Sequence, residues 1–322
     1  KSINKYIERT NEYIIEEGRR KTVYPGELIV SNSATPGIPK LMKIEACVHD
    51  GWLVFDEYKN IETLYLYYFF LDYRRILAHS ASGTVFKNLT TEIVKNVKIN
   101  LPPLAEQKAI AKVLTAFDDK IELLQAQNNT LESMAQTIYK EWFGKYQIGD
   151  VLPEGWRVGK LAEEFDILMG QSPKGSSYNE NGEGTIFFQG RTDFTSRFPA
   201  VRQYTSEPKR IADQLDVLVS VRAPVGDINV ASHKCCIGRG LSAVKSNNKS
   251  YCLYKLLSLK PIFELFESEG TVFGSINKNS FSNIEVVIPD IELIIKFEEK
   301  ASKIDLKIFN NSKQIQSLTK TR

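Results

Sequence analysis

Residues able to read a nucleic acid gather in one part of this chain. Gln189-Gly-Arg-Thr-Asp193 places three base-reading side chains in a single polar turn. Arginine can bond guanine bidentately, glutamine can pair with adenine, and aspartate can accept from cytosine. Around that turn, residues 191–249 carry ten Lys and Arg against five Asp and Glu, a local excess of +5 in a domain whose remainder is acidic. An excess of this kind is the expected footprint of phosphate contacts. Arg191, Thr192, Asp193, Arg197, Arg222 and Arg239 are therefore candidates, with Gln189 beside them. Ser172, Lys174 and Lys278 stand at loop or strand ends and add further donors. In the first half of the chain the positional counterparts are Arg19, Arg20, Lys21, Ser31, Asn32, Thr35 and Lys87. A solvated surface role explains any one of these residues equally well, so the cluster carries more weight than its members.

Other chemistry is missing. No GxxxxGK[ST] phosphate loop occurs, which excludes ATP-driven translocation by this chain. The only double proline lies in Leu101-Pro-Pro-Leu104, without the Asp or Asn before it and the aromatic after it that amino-methyltransferases use on a flipped base. No Ser/His/Asp or Cys/His set stands out. Glu163, Glu164, Asp118 and Asp119 read as helix-surface charges. The four cysteines show no CxxC pair and only three histidines are present, so reduced thiols are expected, with no metal and no cofactor. Net charge is +3 and no apolar run approaches the length of a membrane span. A soluble, cytoplasmic, non-catalytic protein is expected.

The elements that must position the candidate residues begin with Leu101-Pro-Pro-Leu-Ala-Glu-Gln107. Proline stops the preceding segment, and apolar positions then recur at Ile110, Leu114, Phe117, Ile121, Leu124, Asn128, Leu131, Ala135, Ile138 and Trp142. Steps of four and three alternate without a break, which is a coiled-coil seam. A helix over 104–143 would be roughly 60 Å long. Before it, Val23–Ser31 reads as a turn and strand, and 61–76 as a packed helix whose Tyr65, Tyr67, Tyr68 and Phe69 belong to a core. Val94, Val97, Ile99 and Leu101 read as a strand. After it, 186–193 and 216–222 read as strands running into polar turns, and 253–267 as a helix. A second heptad seam, Phe297, Ala301, Ile304, Ile308, Asn311, Ile315 and Leu318, follows Pro289.

An offset of 187 superposes the two halves. Gly83-Thr-Val-Phe86 meets Gly270-Thr-Val-Phe273, Pro102 meets Pro289, and Asp118 meets Asp305. The fold class expected is α+β: two α/β domains, 1–101 and 146–290, joined by two long helices over 102–145 and 291–322. The second domain spends some 30 residues before the part matching Lys1, so the first is expected to lack its opening segment. Two heptad helices separated by a globule favour antiparallel pairing. The register that pairs residue numbers summing to 439 sets Trp142 against Phe297, Ala135 against Ile304, Ile121 against Leu318 and Asn128 against Asn311. A polar seam residue is a good way to fix register, so the two asparagines are expected to face each other.

The chain at this point resembles the specificity subunits of type I restriction–modification systems. The residues that carry the resemblance are Leu101-Pro-Pro-Leu-Ala-Glu-Gln107 with Ile110–Ile121 behind it, Leu152-Pro-Glu-Gly-Trp156, Gly170-Gln-Ser-Pro-Lys174 and Ser220-Val-Arg-Ala-Pro-Val-Gly226. Ile288-Pro-Asp-Ile-Glu292 departs from the fuller proline motif. The resemblance implies two target recognition domains, each reading half of a split site in double-stranded DNA, with methyltransferase and restriction subunits as partners. The outer helix face, with Glu106, Lys108, Lys112, Asp119 and Glu122, is the docking candidate. The competing expectations are a coiled-coil scaffold that binds protein, and a stand-alone nuclease or methylase with unfamiliar motifs.

Overall fold

The computed structural model describes residues 5–15, 21–33, 35–80, 88–268 and 274–322. Pro102 and Pro103 precede a 40-residue helix, Leu104–Phe143, whose first turn holds Glu106 and whose last holds Lys140, both signs suited to the helix dipole. A 31-residue terminal helix, Ile291–Thr321, begins where Asp290 accepts a hydrogen bond from the Glu292 N–H at 2.8 Å. The protein is α+β, and it divides into two compact units: Lys1–Glu122 with Leu318–Arg322, and Leu123–Ser317. The division falls inside both long helices, so each unit takes part of each.

In the unit of Lys1–Glu122 and Leu318–Arg322, four strands lie in the order Tyr6–Ile7, Pro39–Met42, Leu28–Ser31, Trp52–Phe55. Lys21–Val23 pairs separately with Ala46–Val48. Strand alternation sends Leu28 and Val30 to one core with Tyr67, Tyr68 and Phe70 of the helix Thr63–Ser80, and Ile29 to the opposite face with Val23 and Met42. Tyr67, Tyr68 and Phe69 join that core, as their spacing predicts, whereas Tyr65 is half-buried outside it and its hydroxyl donates to the Asn100 carbonyl at 3.2 Å.

In the unit of Leu123–Ser317, Val217–Ser220 sits between Ile228–Val230 and Leu241–Lys245, with Asp166–Met169 beyond. A second sheet orders Ile211–Ala212, Cys235–Ile237, Thr185–Phe188, Tyr204–Thr205 and Tyr178–Asn179. Val217 and Val219 face one cluster and Leu218 the other.

The duplication is visible in the ladders. Thr22 pairs with Cys47 and Ile211 with Cys236; Leu28 pairs with Phe55 and Val217 with Val244. Both partners shift by 189 residues each time. Helical landmarks shift by 187: Thr90 and Asn277 cap short helices by accepting from Ile93 and Ser280 N–H, and Leu104 and Ile291 start the long ones. Two extra residues between strand and helix in the first unit reconcile the two offsets. The Gly-Thr-Val-Phe repeats, 83–86 and 270–273, lie outside the described residues.

The antiparallel register holds. Asn311 Nδ2 donates to Asn128 Oδ1 at 2.9 Å, and Asn128 Nδ2 donates to Ser312 Oγ at 3.2 Å. The rings of Trp142 and Phe297 lie 6.1 Å apart, nearly edge to face. Leu124, Ala135, Phe297, Ala301, Ile308 and Asn311 are buried, and Leu131, Ile138, Trp142 and Ile304 pack against the same core. Phe117, Ile315 and Leu318 are half-buried and Ile121 is 9% exposed. Tyr139 and Phe143 widen the apolar stripe, since there the helix packs on Tyr251 and Phe297 as well.

Three expectations need correction. Residues 97–100 pair with no strand among the described residues. Glu285–Ile288, their counterpart, is a strand because Arg157–Lys160 pairs with it. The segment 253–267 is two helices, Lys249–Ser258 and Lys260–Ser268, because Pro261 cannot donate into a continuing helix. Asp118 is buried at 5% exposure and Glu164 is buried beside Lys255, so neither is a surface charge.

Candidate nucleic-acid interface

Four strand ends converge in the unit of Leu123–Ser317. Thr185–Phe188 runs into Gln189–Asp193, Cys235–Ile237 into Gly238-Arg239-Gly240, Asp166–Met169 into Gly170–Lys174, and Val217–Ser220 into Val221–Gly226. Backbone hydrogen bonds sew these loops together. Gly238 N–H donates to Phe188 O at 2.8 Å, Gln171 N–H to Ile237 O at 3.0 Å, and Val221 N–H to Gly240 O at 2.9 Å. Arg239 N–H donates to Ser172 Oγ at 3.2 Å. Ile276 N–H reaches Val221 O at 3.1 Å, and Arg222 bridges to Ser275, which brings in the loop before Lys278. The loops pack so closely that a Cβ on Gly170 would lie 2.1 Å from the Gly238 carbonyl oxygen.

The turn after Val217–Ser220 is held by one hydroxyl. Ser220 Oγ donates to Pro224 O at 2.7 Å and accepts from Asp227 N–H at 2.9 Å, while Gly226 N–H donates to Ser220 O. Gly226 has φ +85, a left-handed conformation that glycine adopts without cost, and a Cβ there would also strike Phe263. In the other unit Ser31 Oγ donates to Thr35 O at 2.6 Å and accepts from Ile38 N–H at 2.9 Å; Gly37, with φ +83, donates to Ser31 O. Every partner shifts by 189. Asn32 N–H to Gly51 O and Leu89 N–H to Asn32 O likewise reproduce the bonds of Val221 and Ile276. Each unit thus carries the same serine-held turn with the same backbone bonds to its neighbouring loops.

The matching family model is the type I restriction modification DNA specificity domain, over residues 2–133 and 153–321. The chain belongs to this family. It is 37% identical over 278 residues to the putative type I restriction enzyme MjaX specificity subunit of Methanocaldococcus jannaschii, covering 78% of this chain and 62% of that protein. It thus spans under two thirds of that relative's length. The MjaIX specificity subunit of the same organism is 25% identical over 350 residues, covering 98% and 80%. The crystal structure of the type I restriction–modification S subunit from M. genitalium superposes with TM-score 0.61 at 18% identity, over 92% of this chain and 80% of that one, which is a likeness of fold.

On this specificity-domain scaffold the candidate residues separate. Lys174, Gln189, Arg191, Thr192, Arg222, Arg239 and Lys278 are exposed on or beside the loop cluster, and Ser172 is half-buried with its hydroxyl bonded to the Arg239 backbone. Among the described residues Lys174, Arg222, Arg239 and Lys278 are in no ion pair, whereas Arg191 is paired with Asp227. Arg197 is withdrawn from this set. It is 7% exposed, and its guanidinium is bonded to Glu132 at 2.8 Å and Asp305 at 2.5 Å, which leaves no route to a phosphate. Asp193 is also buried, accepting from Arg202 at 2.5 Å and from Gln189 N–H at 3.2 Å; it shapes the turn that presents Gln189 and Arg191. The charge excess of 191–249 shrinks in the same way, since Arg191, Arg197, Arg202, Lys245 and Lys249 all meet carboxylates.

In the first unit Ser31 is a buried turn pin and Asn32 is bonded to the Asp50 carbonyl at 2.6 Å. Lys21 and Thr35 are exposed; Arg19, Arg20 and Lys87 lie outside the described residues. Sequence reading missed Asp50. It occupies the place of Arg239 once the strands are aligned at 189 rather than 187, and the shared bonds of Gly51 and Gly240 are the signal. Corresponding loop tips thus carry opposite charges in the two units.

Proposed function

We propose that this chain is the DNA sequence-recognition subunit of a type I restriction–modification complex, reading a bipartite target in double-stranded DNA. The observation that carries the reading is the loop cluster of Leu123–Ser317, whose serine-held turn recurs in the other unit and around which Lys174, Arg222, Arg239 and Lys278 are in no ion pair among the described residues. Phosphate contacts position a protein on DNA and base-edge contacts specify sequence. Lys174 and Lys278 suit the first role; Gln189, Arg191, Arg222 and Arg239 have the chemistry for the second. In the first unit Lys21, Asn32 and Thr35 would serve, with Asp50 offering an acceptor to cytosine. Different side chains at equivalent loop tips are what two different half-sites require.

Chemistry would come from methyltransferase and restriction subunits in the cytoplasm, docked on the exposed helix face of Glu106, Lys108, Lys112, Asp119 and Glu122. The test is selection from random-sequence duplexes by the chain with methyltransferase subunits, followed by salt titration. A split consensus is expected. The combined Lys174→Ala and Lys278→Ala variant should weaken binding to all sequences and lower the salt slope by about 0.9 for each phosphate left without a cation. Arg239→Ala should instead relax the consensus at one or two positions. Failure to retain DNA at any salt concentration would sink the reading and favour a protein-binding scaffold.

A further inference from the structure

Each unit holds a buried cation that meets the same aspartate of the repeat. Lys5 is 2% exposed, and its Nζ lies 3.5 Å from Asp118 Oδ2 and 3.1 Å from Tyr68 Oη. Tyr68 in turn donates to Asp118 Oδ2 at 2.7 Å. In the second unit the Arg197 guanidinium is bonded to Asp305 at 2.5 Å, Tyr254 donates to the same carboxylate oxygen at 2.7 Å, and the guanidinium carbon sits 5.7 Å from the Tyr254 ring centre. Asp118 and Asp305 are repeat partners at 187. Lys5 and Arg197 occupy the same backbone place, because their carbonyls accept from Leu41 and Val230 N–H, which are partners at 189.

Three bodies meet at each cluster. The cation comes from the edge of a sheet, the tyrosine from the helix Thr63–Ser80 or Lys249–Ser258, and the aspartate from a long helix. The other long helix joins as well, through Arg322 on Asp118 in the first unit and Glu132 on Arg197 in the second. Apolar side chains of similar volume would hold these elements together as firmly, since a buried ion pair gains little over a hydrophobic replacement. Directional bonds add orientation, because apolar faces can slide where a charge bonded on several sides cannot.

We propose that Lys5–Tyr68–Asp118 and Arg197–Tyr254–Asp305 are orientation clamps: each fixes its DNA-reading module on the long helices and thereby the spacer length accepted between half-sites. The proposal rests on the recognition reading above, and the aspartates are positioning residues that touch no DNA. Burial alone would lower the Arg197 basicity, but Asp305, Tyr254 and Glu132 outweigh it and keep the guanidinium charged.

Its test uses the chain in complex with methyltransferase subunits and duplexes that carry the selected half-sites with spacers of every length. Two variants are compared with wild type: Asp305→Asn, and the apolar replacement Arg197→Met, Glu132→Leu, Asp305→Leu with Tyr254→Phe, which removes the hydroxyl that Asp305 accepts from. Half-site consensus and melting temperature are measured alongside. The apolar variant is expected to melt no lower than wild type and to keep both half-site sequences. Its preference for the native spacer should fall by about tenfold, the size of one coupling removed from a shared network. Asp305→Asn should broaden the spacer profile in the same direction. Folded variants with an unchanged spacer profile would overturn the clamp while leaving DNA recognition intact. A wild-type chain that selects no split sequence would overturn both.

Discussion

Two serines with the same chemistry as any surface hydroxyl hold the recognition turns in place. Ser31 and Ser220 each make one donated and one accepted bond across a turn that closes on a left-handed glycine. Removing the hydroxyl from Ser220 strands a half-buried N–H of Asp227 and a half-buried carbonyl of Pro224, so Ser220→Ala should cost about 1 kcal/mol in a denaturant melt. Affinity for the second half-site should fall with it, while the first half-site footprint stays as it is. Cysteine at 220, which retains only a weak donor, should not rescue; threonine, which retains the hydroxyl, should rescue in part. Arg197 illustrates the converse. In the sequence it is one of ten basic residues between 191 and 249, indistinguishable from Arg222 or Arg239. Only burial against Glu132 and Asp305 separates a clamp residue from a DNA-facing one, and burial is set by residues 65 and 108 positions away.

At the scale of elements, the seam between the long helices is fixed by Asn128 and Asn311. Each finds a partner across the seam, with Ser312 completing the network and donating to the Ile308 carbonyl. Asn311→Leu alone leaves Asn128 short of a partner and should lower stability by about 1–3 kcal/mol. Asn128→Leu with Asn311→Leu should recover that loss, and the coupling in a double-mutant cycle measures the pair. A cycle with no coupling would contradict the geometry. The paired variant should also permit slipped registers, visible as heterogeneous cysteine cross-linking between the helices. This seam was legible in the sequence because a 3.5-residue period has one structural solution and a polar residue breaks it at one place per helix. The sheets were less legible. Strands of three or four residues carry a short pattern, and two inserted residues shift the strand repeat to 189 while the helices keep 187, so the equivalence of Asp50 and Arg239 was hidden. Alternation at Val97, Ile99 and Leu101 resembled a strand, yet pairing depends on a partner segment that periodicity does not report.

For the molecule as a whole, the buried tyrosines set an alkaline limit on stability. Burial raises Tyr67 to about 12, and it raises Tyr68, Tyr139, Tyr251 and Tyr254 further above the ordinary value near 10. A group whose folded pKa exceeds its unfolded one contributes stability that is complete below the unfolded value and is lost as pH rises through the folded one. Above about pH 10 the unfolded chain releases phenolic protons that the native chain keeps, and stability falls by up to about 1.4 kcal/mol per pH unit for each such tyrosine. The five lie in both compact units, Tyr67 and Tyr68 in one and Tyr139, Tyr251 and Tyr254 in the other, so both units lose stability at alkaline pH. The melting temperature should therefore be flat from about pH 7 to 9 and fall steeply above about pH 10. Tyr67→Phe removes a titrating hydroxyl without removing the ring, and should make that fall shallower. Circular-dichroism melts across the range, read beside tyrosinate absorbance, decide the matter. Tyrosinate absorbance of more than nine of the fourteen phenolates in a protein still fully folded above about pH 11 would mean that these hydroxyls are solvated and that the packing around the helices is loose.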